Sequence, residues 1–440
     1  MSGKLRVLSI TTVLLLMLAL FGGHQSNREE TAVNPAPAAS EAEAADPSDP
    51  GSAAEPEPEA RQPESAVPSE PEPEAEPEPV LSPEELAALE AAETDARLRE
   101  RVRGLTLEEK VGQLFFVQCP AADAAEEVAQ YHPGGVLLFT RDYQDPSGNW
   151  LTEDAFKEKL AGLQSAARED TGIPLFIGSD EEGGTVTRAS RNLNLFSHRF
   201  RPPRQVWAES GGEEEAVARD ARERSAALLA LGINVNLAPV CDVSTNPADF
   251  IYDRTLGEDA ASTAAFVRIT VEAMGEAGIG AVLKHFPGYG GNADTHTGIA
   301  VDNRPYEAFE TADFLPFAAG IEAGAPFVLV SHNIVNCMDE QYPSSLSPAV
   351  HRVLREELGF EGVVLTDDLS MEAVAAYAGD GSVAELALLA GNDMLITADY
   401  KTQIPLVVEA VRSGALDEER IDAACLRVLR AKLALGLLEE

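Results

Sequence analysis

Eight short apolar runs, each trailed by a longer amphipathic stretch, constrain this chain more than any other feature. The runs are Gln113–Val117, Gly135–Phe139, Leu175–Gly178, Val235–Ala238, Gly280–Leu283, Phe327–Val330, Gly362–Leu365 and Met394–Ile396. Between and after them, Glu213–Leu231, Ala260–Ala277, Ala349–Leu358 and Glu418–Leu435 read as helices. Such alternation is the pattern of repeated βα units around a parallel sheet. Eight units in about 350 residues suit a single α/β domain of the (β/α)8 TIM-type barrel class. A doubly wound sheet is the alternative.

The polar residues strengthen the barrel reading, because six of the runs end in reactive side chains in chain order. Arg141-Asp142, Asp180-Glu181-Glu182, Asp242, Lys284-His285, Ser331-His332 and Asp367-Asp368 follow the second to seventh runs. In a barrel these C-terminal strand ends converge on one mouth, where the active sites of this fold sit. Asp367, directly off its run, is placed to face the mouth, whereas Asp368 is expected to cap a helix. The stretch Lys284–Gly298 is rich in glycine and reads as a loop able to approach a ligand closely. Within it Asp294 and His296, two apart, can form a carboxylate–imidazole dyad in which the Asp orients the ring and raises its basicity. His296 is thus a candidate proton shuttle.

Outside the barrel the chain changes character. Lys4 and Arg6 precede an uncharged run, Val7–Phe21, of secretory length, so residues 1–27 read as a signal peptide or an uncleaved N-terminal signal anchor. Export is therefore expected, to a secreted state or tethered to the cell membrane. No cysteine follows the run, which disfavours lipoprotein attachment. Residues 28–81 are Ala, Pro, Glu and Ser, with stretches such as Glu70-Pro-Glu-Pro-Glu, and cannot build a core. They are expected to form a disordered, solvated stem, extended at ~3.1 Å per residue where polyproline II. The folded part, 82–440, is expected to open with Ser82 as N-cap, Pro83 at the first helical position and Glu85 three residues on.

Charge and cysteines exclude several classes. A formal net charge of −41, from 74 acids against 33 bases, repels phosphate backbones and anionic lipid, so no nucleic-acid partner is expected. The stem holds roughly a third of that excess. Cys119, Cys241, Cys337 and Cys425 show no C-x-x-C spacing, which argues against zinc ribbon, redox motif and disulfide framework alike. They read as buried small hydrophobes.

From about Thr106 to Leu437 the sequence resembles glycoside hydrolase family 3, within it the single-domain bacterial β-N-acetylglucosaminidases of cell-wall turnover. The stretches that carry the resemblance are Thr106-Leu-Glu-Glu-Lys-Val-Gly-Gln113, Gly134-Gly-Val-Leu-Leu-Phe-Thr-Arg141, Asp180-Glu-Glu-Gly-Gly184 with Arg188, and Asn236-Leu-Ala-Pro-Val240. Asp253-Arg254-Thr-Leu-Gly257, Lys284-His-Phe-Pro-Gly288, Asp294-Thr-His296 and Thr366-Asp-Asp-Leu-Ser-Met371 complete it. The resemblance implies retaining hydrolysis of a carbohydrate substrate, with Asp367 as nucleophile, His296 as general acid/base and Asp294 as its partner. It also implies that Asp180, Arg188, Arg254, Lys284 and His285 line the subsite for the non-reducing sugar. No metal or organic cofactor is implied. Glu181 and Glu182 have no catalytic role in the family, and His332 reads as a polar wall residue. An imidazole in place of the second carboxyl group, which retaining enzymes usually hold about 5 to 5.5 Å from the first, would not repel an anionic acceptor, so phosphate could compete with water.

Two departures stand out. Tyr289 occupies a position that is His in relatives, in a loop one residue shorter, and Phe139-Thr-Arg-Asp142 carries a carboxylate where relatives have an amide. Three rival readings remain. A metal-dependent amidohydrolase could use His285, His296 and His332 as ligands, but Phe115-Phe116-Val117 replaces the His-x-His of such barrels. A β-glucosidase or β-xylosidase of the same family usually takes its acid from a second domain, which this chain is expected to lack. A non-catalytic surface glycan-binding protein would not need Asp367, Asp294 and His296.

Overall fold

The computed structural model describes residues 82–292, 300–371, 374, 376–377 and 381–439. The expected signal segment and stem lie outside the described residues, as do Asp294 and His296. Ser82 caps the helix Pro83–Gly104 reciprocally: its Oγ accepts the Glu85 N–H at 3.2 Å, while Glu85 Oε2 accepts the Ser82 N–H at 2.7 Å. A second such box, Thr106 with Glu109, opens Leu107–Gln113. Each satisfies two amides that a helix start otherwise leaves unpaired.

Eight parallel strands follow: β1 (Phe115–Gln118), β2 (Gly135–Leu138), β3 (Phe176–Ser179), β4 (Val235–Asn236), β5 (Gly280–Phe286), β6 (Phe327–Val330), β7 (Val363–Thr366) and β8 (Leu395–Thr397). They pair in chain order, and β8 returns to β1 with Phe115 beside Leu395. A bridge between Leu365 and Met394 closes the ring, with the Thr366 N–H donating to the Met394 carbonyl at 3.1 Å. A closed ring is a (β/α)8 barrel, and it excludes the doubly wound alternative. Phe116, Phe176 and Phe327 pack together inside it, Phe176 edge to ring against Phe327 with centroids 5.1 Å apart and tilted against Phe116 at 6.4 Å. Burying each such ring stabilises the fold by roughly 1.5–3 kcal/mol.

Differences from the expected elements have local causes. The first strand starts at Phe115 because the Thr106-capped helix runs on through Gln113, whose side chain bonds the His132 carbonyl. β4 is two residues long, and Pro239, which has no N–H to donate, follows it. The helix expected over Ala349–Leu358 begins at Pro348 and passes at Val353 into a wider turn ending at Glu357. Cys119, Cys241 and Cys425 are buried, but Cys337 is exposed. Among the described residues no helix is long and apolar enough to cross a membrane.

Candidate active site

The strand ends and the loops that follow them supply the charged groups that surround a cavity of about 470 Å³ in the barrel mouth, within the roughly 300–1,000 Å³ usual for small-molecule sites. Asp180, Arg188, Arg254, Lys284, His285 and Asp367 all line it. Five of these are the residues expected to grip a sugar, and the sixth is the expected nucleophile. Phe139, Phe250 and Met371 supply apolar wall.

Asp180 stands one residue beyond β3, and Lys284 reaches it from β5 with Nζ 2.8 Å from Oδ1. Arg188 approaches the other carboxylate oxygen at 3.6 Å. The register of β5 against β6 shifts between Leu283 and Phe286, and such a bulge re-aims the side chains it carries. Both Lys284 and His285, neighbours in sequence, therefore line the same cavity.

Behind this front stands Glu182, which was expected to have no catalytic role. Glu182 is 2% exposed; Arg254 clamps it through Nε at 2.9 Å and Nη2 at 2.7 Å, and Lys284 Nζ lies 2.6 Å from its Oε1. Burial opposes ionisation of Glu182, yet Arg254 and Lys284 outweigh it and hold its carboxyl well below the usual carboxylate range. Burial likewise disfavours the Arg254 cation, and Glu182 more than offsets it, raising the guanidinium above its ordinary value. Glu182 thus fixes both cations from below while leaving them facing the cavity.

His285 is held from both sides. Its Nε2 accepts from Arg254 Nη2 at 2.9 Å, so Nδ1 carries the proton and donates to Asp242 Oδ2 at 2.7 Å. Asp242, fully buried, also accepts the amide hydrogens of His285 and Tyr289 at 3.2 and 2.8 Å. Tyr289 packs its ring edge-on to His285 with centroids 5.2 Å apart. These contacts leave His285 poorly suited to bind a metal ion, with a guanidinium against the one nitrogen that has a lone pair.

Asp367 follows β7, and its N–H donates to the Val330 carbonyl of β6 at 2.9 Å, which fixes its backbone to the barrel wall. Its Oδ1 accepts the Asp368 N–H at 2.8 Å. Asp368 turns its own carboxylate to the Ser370 N–H and the Gln118 amide, at 2.9 and 2.6 Å. His332 is not a cavity wall residue: fully buried, it places Nε2 3.0 Å from the Asp368 carbonyl and Nδ1 2.7 Å from Ser345 Oγ. It braces the backbone on which Asp367 sits. Glu181 is equally buried and accepts from Ser190 Oγ at 2.8 Å and from backbone amides of the loop after β3; burial pushes its carboxyl up. Asp142 is absorbed by structure too, taking the Phe139 N–H at 2.8 Å and lying 3.4 Å from Lys159 Nζ.

The sequence model described as "Glycosyl hydrolase family 3 N terminal domain" matches residues 106–431. The chain belongs to glycosyl hydrolase family 3. As a family 3 glycoside hydrolase it has curated relatives, among them a protein of Xanthomonas oryzae pv. oryzae named Beta-hexosaminidase. That protein is 32% identical over 307 residues, which are 69% of this chain and 85% of that one. Among solved structures, the family 3 beta-N-acetylglucosaminidase from Paenibacillus sp. superposes with a TM-score of 0.68 at 30% identity. The match covers 76% of this chain but 63% of that longer protein. Beta-N-acetylhexosaminidase from Beutenbergia cavernae gives a TM-score of 0.65 at 32% identity, over 74% of this chain and 98% of that one.

Proposed function

We propose that this family 3 barrel is a retaining, exo-acting β-N-acetylhexosaminidase that releases terminal N-acetylglucosamine from cell-wall fragments or related glycans. The observation that carries the reading is the placement of Asp367 on the same cavity as Asp180, Arg188, Arg254, Lys284 and His285. A carboxylate fixed at a strand end thereby faces a set of charged donors and acceptors suited to sugar hydroxyls. Relatives named Beta-hexosaminidase, matched over most of their length, support the substrate class.

In this mechanism an Asp367 carboxylate oxygen attacks the anomeric carbon while the imidazolium of His296 gives its proton to the departing glycosidic oxygen. The result is a covalent glycosyl-enzyme and a neutral imidazole. His296 then takes a proton from water as that water attacks the same carbon, releasing the sugar with its configuration retained and restoring Asp367. Asp294 orients the ring. The basic and apolar N-terminal segment and the Pro/Glu stem support an extracytoplasmic location.

The test is the ratio of kcat/KM on an aryl N-acetyl-β-glucosaminide and on the matching aryl β-glucoside. A preference of at least ~10²-fold for the acetamido sugar, abolished with all turnover in Asp367→Asn, is the expected outcome. Preference for the glucoside would overturn the substrate and keep the nucleophile.

A further inference from the structure

Asn292 and Ala300 flank the seven residues, 293–299, that contain Asp294 and His296. The chain on both sides of that segment is tied to one buried ion cluster outside the sugar-binding set. Asp302, 1% exposed, accepts from Arg304 Nε at 2.9 Å and Nη2 at 2.8 Å. The other face of the same guanidinium reaches Asp313, also 1% exposed, with Nη1 2.8 Å from Oδ2. The Arg304 guanidinium lies over the Phe309 ring, 4.3 Å from its centroid.

From the N-terminal side, Asn292 Nδ2 donates to Asp302 Oδ2 at 2.7 Å and to the Tyr289 carbonyl at 2.8 Å. Gly288 and Gly290, at φ of +122° and +53°, bring their backbones against the cluster. A Cβ on Gly288 would strike the Asp313 carboxylate, and one on Gly290 would lie 2.6 Å from Arg304 Cζ. From the C-terminal side, the Ile334 N–H donates to the Ala300 carbonyl at 2.8 Å and the Asn336 N–H to the Asp302 carbonyl at 3.0 Å. These bonds hold Val301–Asp302 as a short parallel pair with Ile334–Val335. Tyr289 adds a link to the sugar side, its N–H on the same Asp242 that orients His285.

We propose that Arg304, held between Asp302 and Asp313, is a positioning residue for the general acid/base: it secures both flanks of the segment carrying Asp294 and His296 to one point of the fold. The proposal rests on the reading of His296 as acid/base. Physically, a loop closed at a fixed span has fewer ways to misplace the group it carries. A displacement of about 1 Å in a reacting group can cost roughly 10²-fold in rate.

The experiment compares the full chain with Arg304→Met, Arg304→Lys, Asn292→Ala and His296→Ala on two N-acetyl-β-glucosaminides, one with an activated aryl leaving group and one with an alkyl leaving group. Formation of the glycosyl-enzyme from the activated substrate needs little proton donation, so its pre-steady-state rate reports on Asp367 and sugar binding alone. Arg304→Met is expected to slow the alkyl substrate ~10- to 100-fold while changing that rate and KM less than about threefold. Arg304→Lys should recover part of the loss. The double variant with His296→Ala should be no slower than His296→Ala itself, because the two residues act through one step.

Asn292→Ala cuts one tie and leaves the ion cluster whole, so it supplies the test if Arg304→Met does not fold; a several-fold loss confined to the alkyl substrate is expected. Equal losses on both substrates, or losses that multiply with His296→Ala, would overturn the positioning role. Should His296→Ala leave the alkyl substrate unaffected, the acid/base reading itself fails, whatever Arg304 does.

Discussion

Glu182 keeps its charge in the interior because two cations share it, and that sharing makes it more than a structural residue. Removing one partner of a buried ion pair costs roughly 3–5 kcal/mol, since the remaining charge stays desolvated. In Glu182→Gln, Arg254 and Lys284 would lose their common anchor and keep only His285 and Asp180, the groups they present to the cavity. The variant should lose about 3 kcal/mol of stability at pH 7 by urea unfolding and, on the sugar-binding role proposed for Arg254 and Lys284, at least ~10-fold in kcat/KM. The sign of the pH dependence follows from the lowered carboxyl value. The ionised pair contributes fully above the unfolded value of 4.5 and is progressively lost as the pH falls below it. Parent and variant should therefore differ most at neutral pH and converge toward acid. A constant difference down to pH 2 would mean that the charge of Glu182 is not what holds the cations.

Most of the barrel was legible from its strands, since each apolar run is a local signal: seven of the eight begin within one residue of the observed strand. The eighth, Gln113–Val117, misled because the run overlapped the end of a capped helix, where apolar residues face the same core. Placement on the cavity was legible at the strand ends for Asp180, Lys284, His285 and Asp367, and for Arg188 and Arg254 only through the family resemblance. Glu182, Asp242 and His332 act through partners 72, 43 and 36 residues away in sequence, a distance that no local pattern encodes. The cluster of Asn292, Asp302, Arg304 and Asp313 likewise joins side chains that no local pattern groups together. The helix Glu418–Ala434 hides a further case. Its Lys432 is fully buried at the foot of the barrel, bonded to Gln113 Oε1 at 2.7 Å and 5.2 Å from the Phe176 ring centroid. Burial pulls its ammonium down to about 7 from the usual 10.5. Below pH 7 the folded state must carry that buried charge, whereas between 7 and 10.5 only the unfolded chain holds the proton, so stability rises with pH across that window. Lys432→Met should remove this dependence, its gain over the parent being larger at pH 6 than at pH 10 by up to ~4 kcal/mol. Equal gains at both pH values, measured by urea unfolding, would refute the buried ammonium as their source.

At the scale of the whole molecule, the charge of the chain and the charge of its cavity pull in different directions. The folded part keeps roughly two thirds of the formal excess of −41, yet the lining of its site is nearly balanced, Arg188, Arg254 and Lys284 against Asp180, Asp367 and Asp368, with Glu182 and Asp242 behind them. A neutral glycoside therefore meets little net field, but a glycan bearing carboxylates must approach against a strongly negative surface. Added salt shortens the reach of that field, from about 30 Å at 0.01 M to about 10 Å at 0.1 M and 3 Å at 1 M, while close pairs inside the cavity are screened far less. Raising NaCl over that range should increase kcat/KM severalfold on a substrate whose leaving group carries an acidic peptide, and leave the neutral aryl N-acetyl-β-glucosaminide within about twofold. The opposite slope, a fall with salt on the acidic substrate alone, would place the decisive field in the local cations of the mouth. It would then follow that Arg188, Arg254 and Lys284 attract anionic substrates despite the net charge of the chain that presents them.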